Sequence, residues 1–345
     1  NSVFSGFIMA SIGQDNIEYS MALSGKKLIR EKQNMKNNTV VMACDNKYFW
    51  GTFILAASMR MNAMDEPILI YQNGFTPEMR EALSKLGDLE IIDAPNSGRN
   101  MTCRKADAML LAKTDYISWI DCDAFFVGNC SKELFNPNPD SISIRVRSVA
   151  ENAGIYNNSG LYAPEDFNGA IPHRVLEVWR QDVNERSTPR LECCASACAF
   201  SLHKKHRAFL ERWREQMMKV LPDSNTGVTA NDRSAYYQLD ESVLNSLLCF
   251  MENAPQTVEF SLDKNAEHMY WHLVRTPKPW LWWDKFSLVY YKDIMNILEW
   301  AEKNGHISIK LPFALNRKYE WFHRHLTIWC KVMRIKNKIK HVLVR

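Results

Sequence analysis

No window of the 345 residues approaches the ~20 apolar positions that a membrane-spanning helix needs. The opening stretch "NSVFSGFIMASIG" has no basic start ahead of its apolar part, which makes it a poor signal peptide. The first residue is Asn1 rather than methionine, so the chain reads as a fragment or a processed product. None of the nine cysteines forms a Cys-x-x-Cys pair, and Cys193-Cys194 is too sparse for a zinc site. Cys44, Cys103, Cys122, Cys198 and Cys249 lie in apolar segments and read as small core residues of a reducing compartment. The sequons at Asn100 and Asn129 adjoin the motifs below, where a glycan would obstruct. A cytoplasmic location is expected on both grounds. There is no internal repeat.

What is present is an ordinary globular composition, 46% hydrophobic and 24% charged. Such a length supports one large domain with appendages. The charge is uneven. Residues 317–345 hold nine Lys/Arg against Glu320 alone, so with +4 overall the remaining body is mildly acidic.

Residues 1–38 are mixed and polar, with a helix-like segment "SGKKLIREKQNMKNN", and are read as an N-terminal extension. From Thr39 the pattern alternates. "TVVMAC", "EPILIY", "LEIIDA" and "DYISWID" have strand character, and "YFWGTFILAASMRM", "TPEMREALSKLG" and "TCRKADAMLLAK" have helix character. Thr76 and Pro77 open the second helix and Gly87 lies past its end. This alternation predicts an α/β fold with a mostly parallel sheet flanked by helices, whose ligands bind beyond the carboxyl ends of the strands. Further on, "ECCASACAFSL" reads as a buried strand, and "HKKHRAFLERWREQMMKVL" and "DESVLNSLLCF" as helices around a polar loop. The main domain is expected over 39–290, with a helical C-terminal region over 291–345.

Three motifs bear on chemistry. Asp121-Cys122-Asp123 ends the fourth strand, and carboxylates two residues apart on extended chain point the same way, so both can grip one hard cation. A solvated strand-end acid pair is the bland alternative. In "HLVRTPKPW", His272 can serve as a third ligand and Lys278 as a phosphate clamp, with Pro277 and Pro279 stiffening the loop. A Trp/Pro-rich core loop is the alternative there. At "ACDNKY", Asp45 can accept from a base N–H and Tyr48 can stack on its ring, against the plainer reading of Asp45 as a helix cap.

In this order and spacing the motifs resemble glycosyltransferase family 8, the retaining GT-A enzymes that include glycogenin and lipooligosaccharide galactosyltransferases. The resemblance covers about residues 39–285 and rests on Ala43, Asp45 and Tyr48; on Arg104; on Asp121 and Asp123 followed by Gly128, Asn129, Leu134 and Phe135; on "DESVLN" from Asp240; and on His272, Lys278, Pro279 and Trp280. It implies a GT-A, Rossmann-like fold and transfer of a hexose from a UDP-sugar to a glycan or glycolipid acceptor with retention. Asp121, Asp123 and His272 would hold Mn²⁺, with Mg²⁺ as an alternative, and Lys278 would face the diphosphate. Asp45 and Tyr48 would hold the uracil, with Ala43 in the same cofactor-binding set, and Arg104 the donor side. Asp240 would bond the donor sugar, with Glu241 near the anomeric carbon.

This chain departs from that pattern at three places. Arg275 stands where the family has a small residue, adding a cation near the diphosphate; Glu241 replaces an amide, and Ser242 an acid. The family's Asn-x-Gly segment is matched in order by Ser196-Ala197-Cys198 and in letters by Asn158-Ser159-Gly160, of which the first is preferred. The mechanism stays open between front-face attack and double displacement through Glu241 or Asp240. An inverting GT-A transferase, a nucleotidyltransferase and a non-catalytic nucleotide- or membrane-binding module are the competing readings. In the tail, Ile328, Val332, Ile335, Ile339 and Val342 recur at helical spacing among lysines and arginines, the pattern of a helix lying on an anionic membrane surface. No nucleic-acid partner is expected, since the basic residues are confined to the tail.

Overall fold

The protein is described by a computed structural model covering residues 37–325, apart from 97–99, 160–161, 163–165, 167–168, 222–234, 261, 263–268 and 275–276. Arg275, residues 24–36 of the helix-like segment, the polar loop before Asp240 and the amphipathic repeat of the tail lie outside the described residues, and Asn38, read as the end of the extension, is instead the first residue of the first strand.

The alternation read from the sequence is the alternation observed. β1 (Asn38–Asp45), α1 (Phe49–Met61), β2 (Ile68–Asn73), α2 (Pro77–Ser84), β3 (Leu89–Asp93), α3 (Lys105–Met109) and β4 (Tyr116–Ile120) follow one another. Then come β5 (Ala124–Phe126), α4 (Ser131–Leu134), β6 (Ser141–Val146), α5 (Val149–Ser159), α6 (His173–Val183), β7 (Ala195–His203) and α7 (Arg207–Val220). The described chain ends with α8 (Asp240–Phe250), β8 (Gln256–Val258), β9 (Tyr270–His272), α9 (Tyr291–Lys303) and α10 (Glu320–Arg324). Local chemistry sets the boundaries. The Thr76 side chain accepts the Met79 N–H at the start of α2, a cap worth about 1 kcal/mol. Gly87 supplies the left-handed residue after that helix, at φ +95°.

Seven strands form one sheet in the order β3-β2-β1-β4-β7-β6-β8. The pairings β1–β2, β2–β3, β1–β4 and β6–β8 are parallel, and β7 alone runs against its neighbours β4 and β6. The sheet is covered on both faces, which is why its central strands are almost continuously apolar. Val40, Met42 and Cys44 belong to the layer under α1 and α9, whereas Val41 and Ala43 belong to the layer of α6, α7 and α8. Ile294, Ile297, Leu298 and Ala301 of α9 lie in the same core as α1, so the packing continues across residue 290 into the C-terminal region.

A second, two-stranded sheet pairs β5 with β9, setting Ala124 opposite His272. Its position depends on close approach by α1. A Cβ on Gly51 would come within 2.5 Å of both the Cys122 carbonyl oxygen and the Trp280 ring. Trp280 in turn donates its Nε1–H to the Lys47 carbonyl at 3.0 Å, tying the Pro-Trp segment to the β1–α1 turn. Gly51→Ala is therefore expected to lower stability by about 1–3 kcal/mol. Urea denaturation checks this, and an unchanged midpoint would show that the Trp280 segment yields freely.

Candidate active site

β4 is the strand that carries the acids. Its apolar residues lock it between β1 and β7, and the Asp121 N–H continues the pairing by donating to the Cys198 carbonyl at 2.8 Å. The chain then turns into β5, so Asp121 and Asp123 emerge together at the end of the sheet while Cys122 between them packs in the α1 core. The sequence alternation predicts that split, and it is observed. The hydrogen bond to Cys44, followed by burial, pushes the Cys122 thiol well above its usual range, so it stays neutral.

The β5–β9 pairing delivers the third group. His272 Nε2 lies 3.2 Å from Asp123 Oδ1 and 3.8 Å from Asp121 Oδ2. One ligand atom from each of the three residues lies within 4.8 Å of the other two, a geometry that fits a divalent ion taking two carboxylates and one imidazole. Lys278 closes the group, with Nζ 2.5 Å from Asp123 Oδ2 and a second hydrogen bond to the Leu273 carbonyl. Burial works against the charges of Asp123 and His272, but their mutual contact outweighs it. With Lys278 it holds the Asp123 carboxyl below the usual carboxylate range, and with Cys198 it holds the His272 imidazole well above its ordinary value.

Sequence reasoning missed Lys105. It lies one position beyond Arg104, is 5% exposed, and reaches Asp121 Oδ1 at 2.8 Å, Asp240 Oδ2 at 2.9 Å and the Ala197 carbonyl at 2.8 Å. Its ammonium also sits over the Trp119 ring, 5.2 Å from the centroid. Burial opposes its charge, yet the two carboxylates win and the lysine stays protonated. A signal was there to find. Lys105 shares the buried stripe of Met101, Ala108 and Met109, and a cation in an apolar stripe requires acids nearby. Arg104 turns elsewhere, toward Asp107 at 3.8 Å and the Pro95 carbonyl at 3.3 Å, and it is not among the residues lining the cavity beside the acids.

That cavity, about 370 Å³, is lined by Ala43, Asp45, Tyr48, Met101, Lys105 and Asp121 among others. Asp45 Oδ1 accepts the Lys47 N–H at 2.9 Å, so the capping role is observed and the residue also lines the cavity. Tyr48 stands edge-on to Trp280 with centroids 5.6 Å apart. Burial, then the charges of Asp123 and its neighbours, raises its phenol to about 12, leaving it a neutral donor. The loop from Asn100 to Thr102 forms the facing wall, held by Asn100 capping the Thr102 N–H at 3.0 Å.

Asp240 and Glu241 begin α8, just after Leu239, a non-glycine residue held at φ +52° and ψ −120°. Backbone strain of this kind costs on the order of 1 kcal/mol and clusters at functional sites. Burial is the main reason that the Asp240 carboxyl is raised to about 7, with Lys105 opposing the shift. Glu241 is fully engaged: Oε1 pairs with Arg147 Nη2 at 2.7 Å, and Oε2 accepts the Ala197 N–H at 2.9 Å. Asn245, one turn on, clasps both Ala195 backbone groups at 2.6 and 2.9 Å. The preferred segment Ser196–Cys198 is thus part of β7 beside the acids, whereas Asn158 and Ser159 end α5. Arg147 was not singled out from the sequence either.

No protein-family profile and no curated protein sequence matches this chain. Solved structures do. The bifunctional glycosyltransferase WbbM in its apo form superposes with a TM-score of 0.50 at 14% identity, over 77% of this chain and 51% of that one. The glycosyltransferase GlyE of Streptococcus pneumoniae TIGR4 gives 0.47 at 16%, over 77% and 63%. The galactosyltransferase LgtC, solved with donor and acceptor sugar analogs, gives 0.44 at 12%, over 82% and 99%. The chain thus spans about half to two thirds of the first two. At these identities the likeness is one of fold, and the fold is that of the GT-A glycosyltransferases.

Lys105→Met is expected to cost about 3–5 kcal/mol at pH 8, since it strands a buried carboxylate. The loss should shrink at pH 5. Because the folded-state value of Asp240 is raised, the fold binds a proton more readily than the unfolded chain between its ordinary value and about 7, and protonated Asp240 needs no counter-ion. Denaturation of the variant at the two pH values measures the difference, and equal losses would contradict it.

Proposed function

We propose that this chain is a metal-dependent glycosyltransferase that moves a hexose from a UDP-sugar to a glycan or glycolipid acceptor with retention of configuration. The observation that carries the reading is the convergence of Asp121, Asp123 and His272, with Lys278 behind them, at the carboxyl end of the sheet in a GT-A fold. The family 8 resemblance supports the finer assignments. Asp121, Asp123 and His272 hold the ion, Mn²⁺ in preference to Mg²⁺ because one ligand is an imidazole. When bound, that ion neutralises charge on the departing diphosphate.

The chain's own residues supply the rest. Ala43, Asp45 and Tyr48 shape a cavity for the uracil, and the tyrosine is a permanent hydrogen-bond donor there. Lys278, its buried ammonium lying beside Asp123, is assigned to the phosphates, where positive charge is most useful in the transition state. Lys105 and Asp240 form the donor-sugar side. Arg275 is assigned to the diphosphate by sequence alone. The protein is proposed to be cytoplasmic and peripheral on the membrane, its basic tail lying on an anionic surface; no helix among the described residues is long and apolar enough to cross a bilayer.

Glu241 favours one mechanism over the other. Both its oxygens are taken, one by a guanidinium and one by a backbone N–H, so it is poorly placed to attack the anomeric carbon. Asp240 is no freer, being 4% exposed and paired with Lys105, so front-face attack, with the leaving phosphate receiving the acceptor proton, is the reading we adopt. Glu241→Gln should then keep turnover within about tenfold, whereas a nucleophile would lose on the order of a thousandfold or more. UDP release from a panel of UDP-sugars measures it. Asp123→Ala should abolish both transfer and Mn²⁺-dependent UDP binding, and unchanged Mn²⁺-dependent turnover would sink the metal assignment. Binding of the ion requires neutral His272, which the protein holds protonated. Apparent Mn²⁺ affinity should therefore rise with pH, by about tenfold per unit while that proton is displaced. Mn²⁺ spin resonance at several pH values tests the slope.

A further inference from the structure

A second concavity, about 440 Å³, opens on the other side of His272, and it differs in kind from the nucleotide cavity. Its wall is apolar, formed chiefly by Val274, Pro279, Phe286, Val289 and Tyr290. Val274 is 71% and Val289 70% exposed, an unusual outlay of apolar surface beside a polar site. We propose that this groove seats the apolar chain of an amphiphilic acceptor, a lipid-linked glycan whose sugar end reaches the metal acids past His272. The proposal rests on the transferase reading and deepens it by naming the acceptor class.

Three observations select this occupant. His272 lines the groove and is also a member of the acid cluster, so a molecule lying in the groove has one end at the reacting centre. At the groove edge Lys285 sits 4.7 Å from the Phe286 ring centroid and has no ion-pair partner among the described residues. The neighbouring acid, Asp284, spends one oxygen on the N–H groups of Phe286 and Ser287. The edge is therefore suited to an anionic link such as a lipid phosphate. Finally, Tyr290 is followed by Tyr291, against which His323 of α10 packs at 6.1 Å. That helix carries the exposed Trp321 and Phe322 and leads into residues 326–345, which hold six Lys/Arg and no acid. Aromatic residues beside a wholly basic segment match a surface of anionic lipid, from which such an acceptor would be drawn.

The test uses the full chain with methyl, butyl and octyl β-glucosides and octyl phosphate, all below their micelle concentrations, by titration calorimetry. Octyl glucoside should bind at least about tenfold more tightly than butyl glucoside, as burial of methylenes requires, and octyl phosphate more tightly still. Phe286→Asp and Val289→Asp, both at exposed positions, should erase the chain-length dependence while leaving the melting temperature and Mn²⁺-dependent UDP binding unchanged. Lys285→Ala should remove only the advantage of the phosphate. Equal affinity across chain lengths, octyl binding undiminished in the aspartate variants, or no advantage for the phosphate would overturn the proposal. So would a dimer in solution that these variants dissociate, since the groove would then belong to a second copy. Mn²⁺-dependent UDP binding is read separately: its absence would remove the transferase reading while the groove result stands, and its presence without chain-length dependence would do the reverse.

Discussion

A lysine that is 5% exposed stays charged only if carboxylates accompany it into the interior, and the site is arranged around that requirement at Lys105. Asp121 comes from the end of β4, Asp240 from the start of α8, and the Ala197 carbonyl from β7, so one ammonium joins three elements far apart in sequence. Glu241 holds the other side of Ala197 through its N–H, and Arg147 from the end of β6 holds Glu241. Positive and negative groups alternate from Arg147 through Glu241 and, across the Ala197 backbone, Lys105 to Asp121, His272, Asp123 and Lys278, with Asp240 joined at Lys105. Charges confined this way stabilise one another where each alone would be expelled.

The small β5–β9 sheet supplies the other constraint. Antiparallel pairing places His272 opposite Ala124, one residue beyond Asp123, and the backbone bond from Leu273 N–H to the Asp123 carbonyl at 2.8 Å continues that register. A shift of one residue would turn the imidazole to the other face. Gly51 and Trp280 hold this unit against α1, so the metal-binding geometry depends on packing rather than on the acids themselves. The same unit separates two cavities of different character, one polar beneath Tyr48 and one apolar beside Phe286, with His272 between them.

Much of the fold was legible because it is periodic. β1 to β4 and the helices between them show plain alternation of strand and helix patterns, and the acids stand where a buried strand must end. Ser141–Val146, His173–Val183 and the pair β5–β9 were harder to read, since short strands and isolated amphipathic turns leave weak periodicity. The reversed direction of β7 was not legible either, because a buried strand reads the same in both directions. At the site, motif residues spaced in sequence were found, whereas Lys105 and Arg147 were not, as each takes its meaning from partners on other elements.

The sequence by itself determined the α/β class, the emergence of Asp121 and Asp123 on one side of a strand end with Cys122 turned inward, and the presence of a cationic loop around Lys278. These follow from residue type and period 2 or 3.6, which are local properties of the chain. Only the tertiary structure decided which charges meet: that Lys105 rather than Arg104 faces the acids, that Glu241 is bound by Arg147, and that an apolar groove opens beside His272. Electrostatic pairing in a low-dielectric interior depends on distance in space, and distances across 149 residues, such as that from Asp123 to His272, are set by strand register and helix packing rather than by any stretch of sequence.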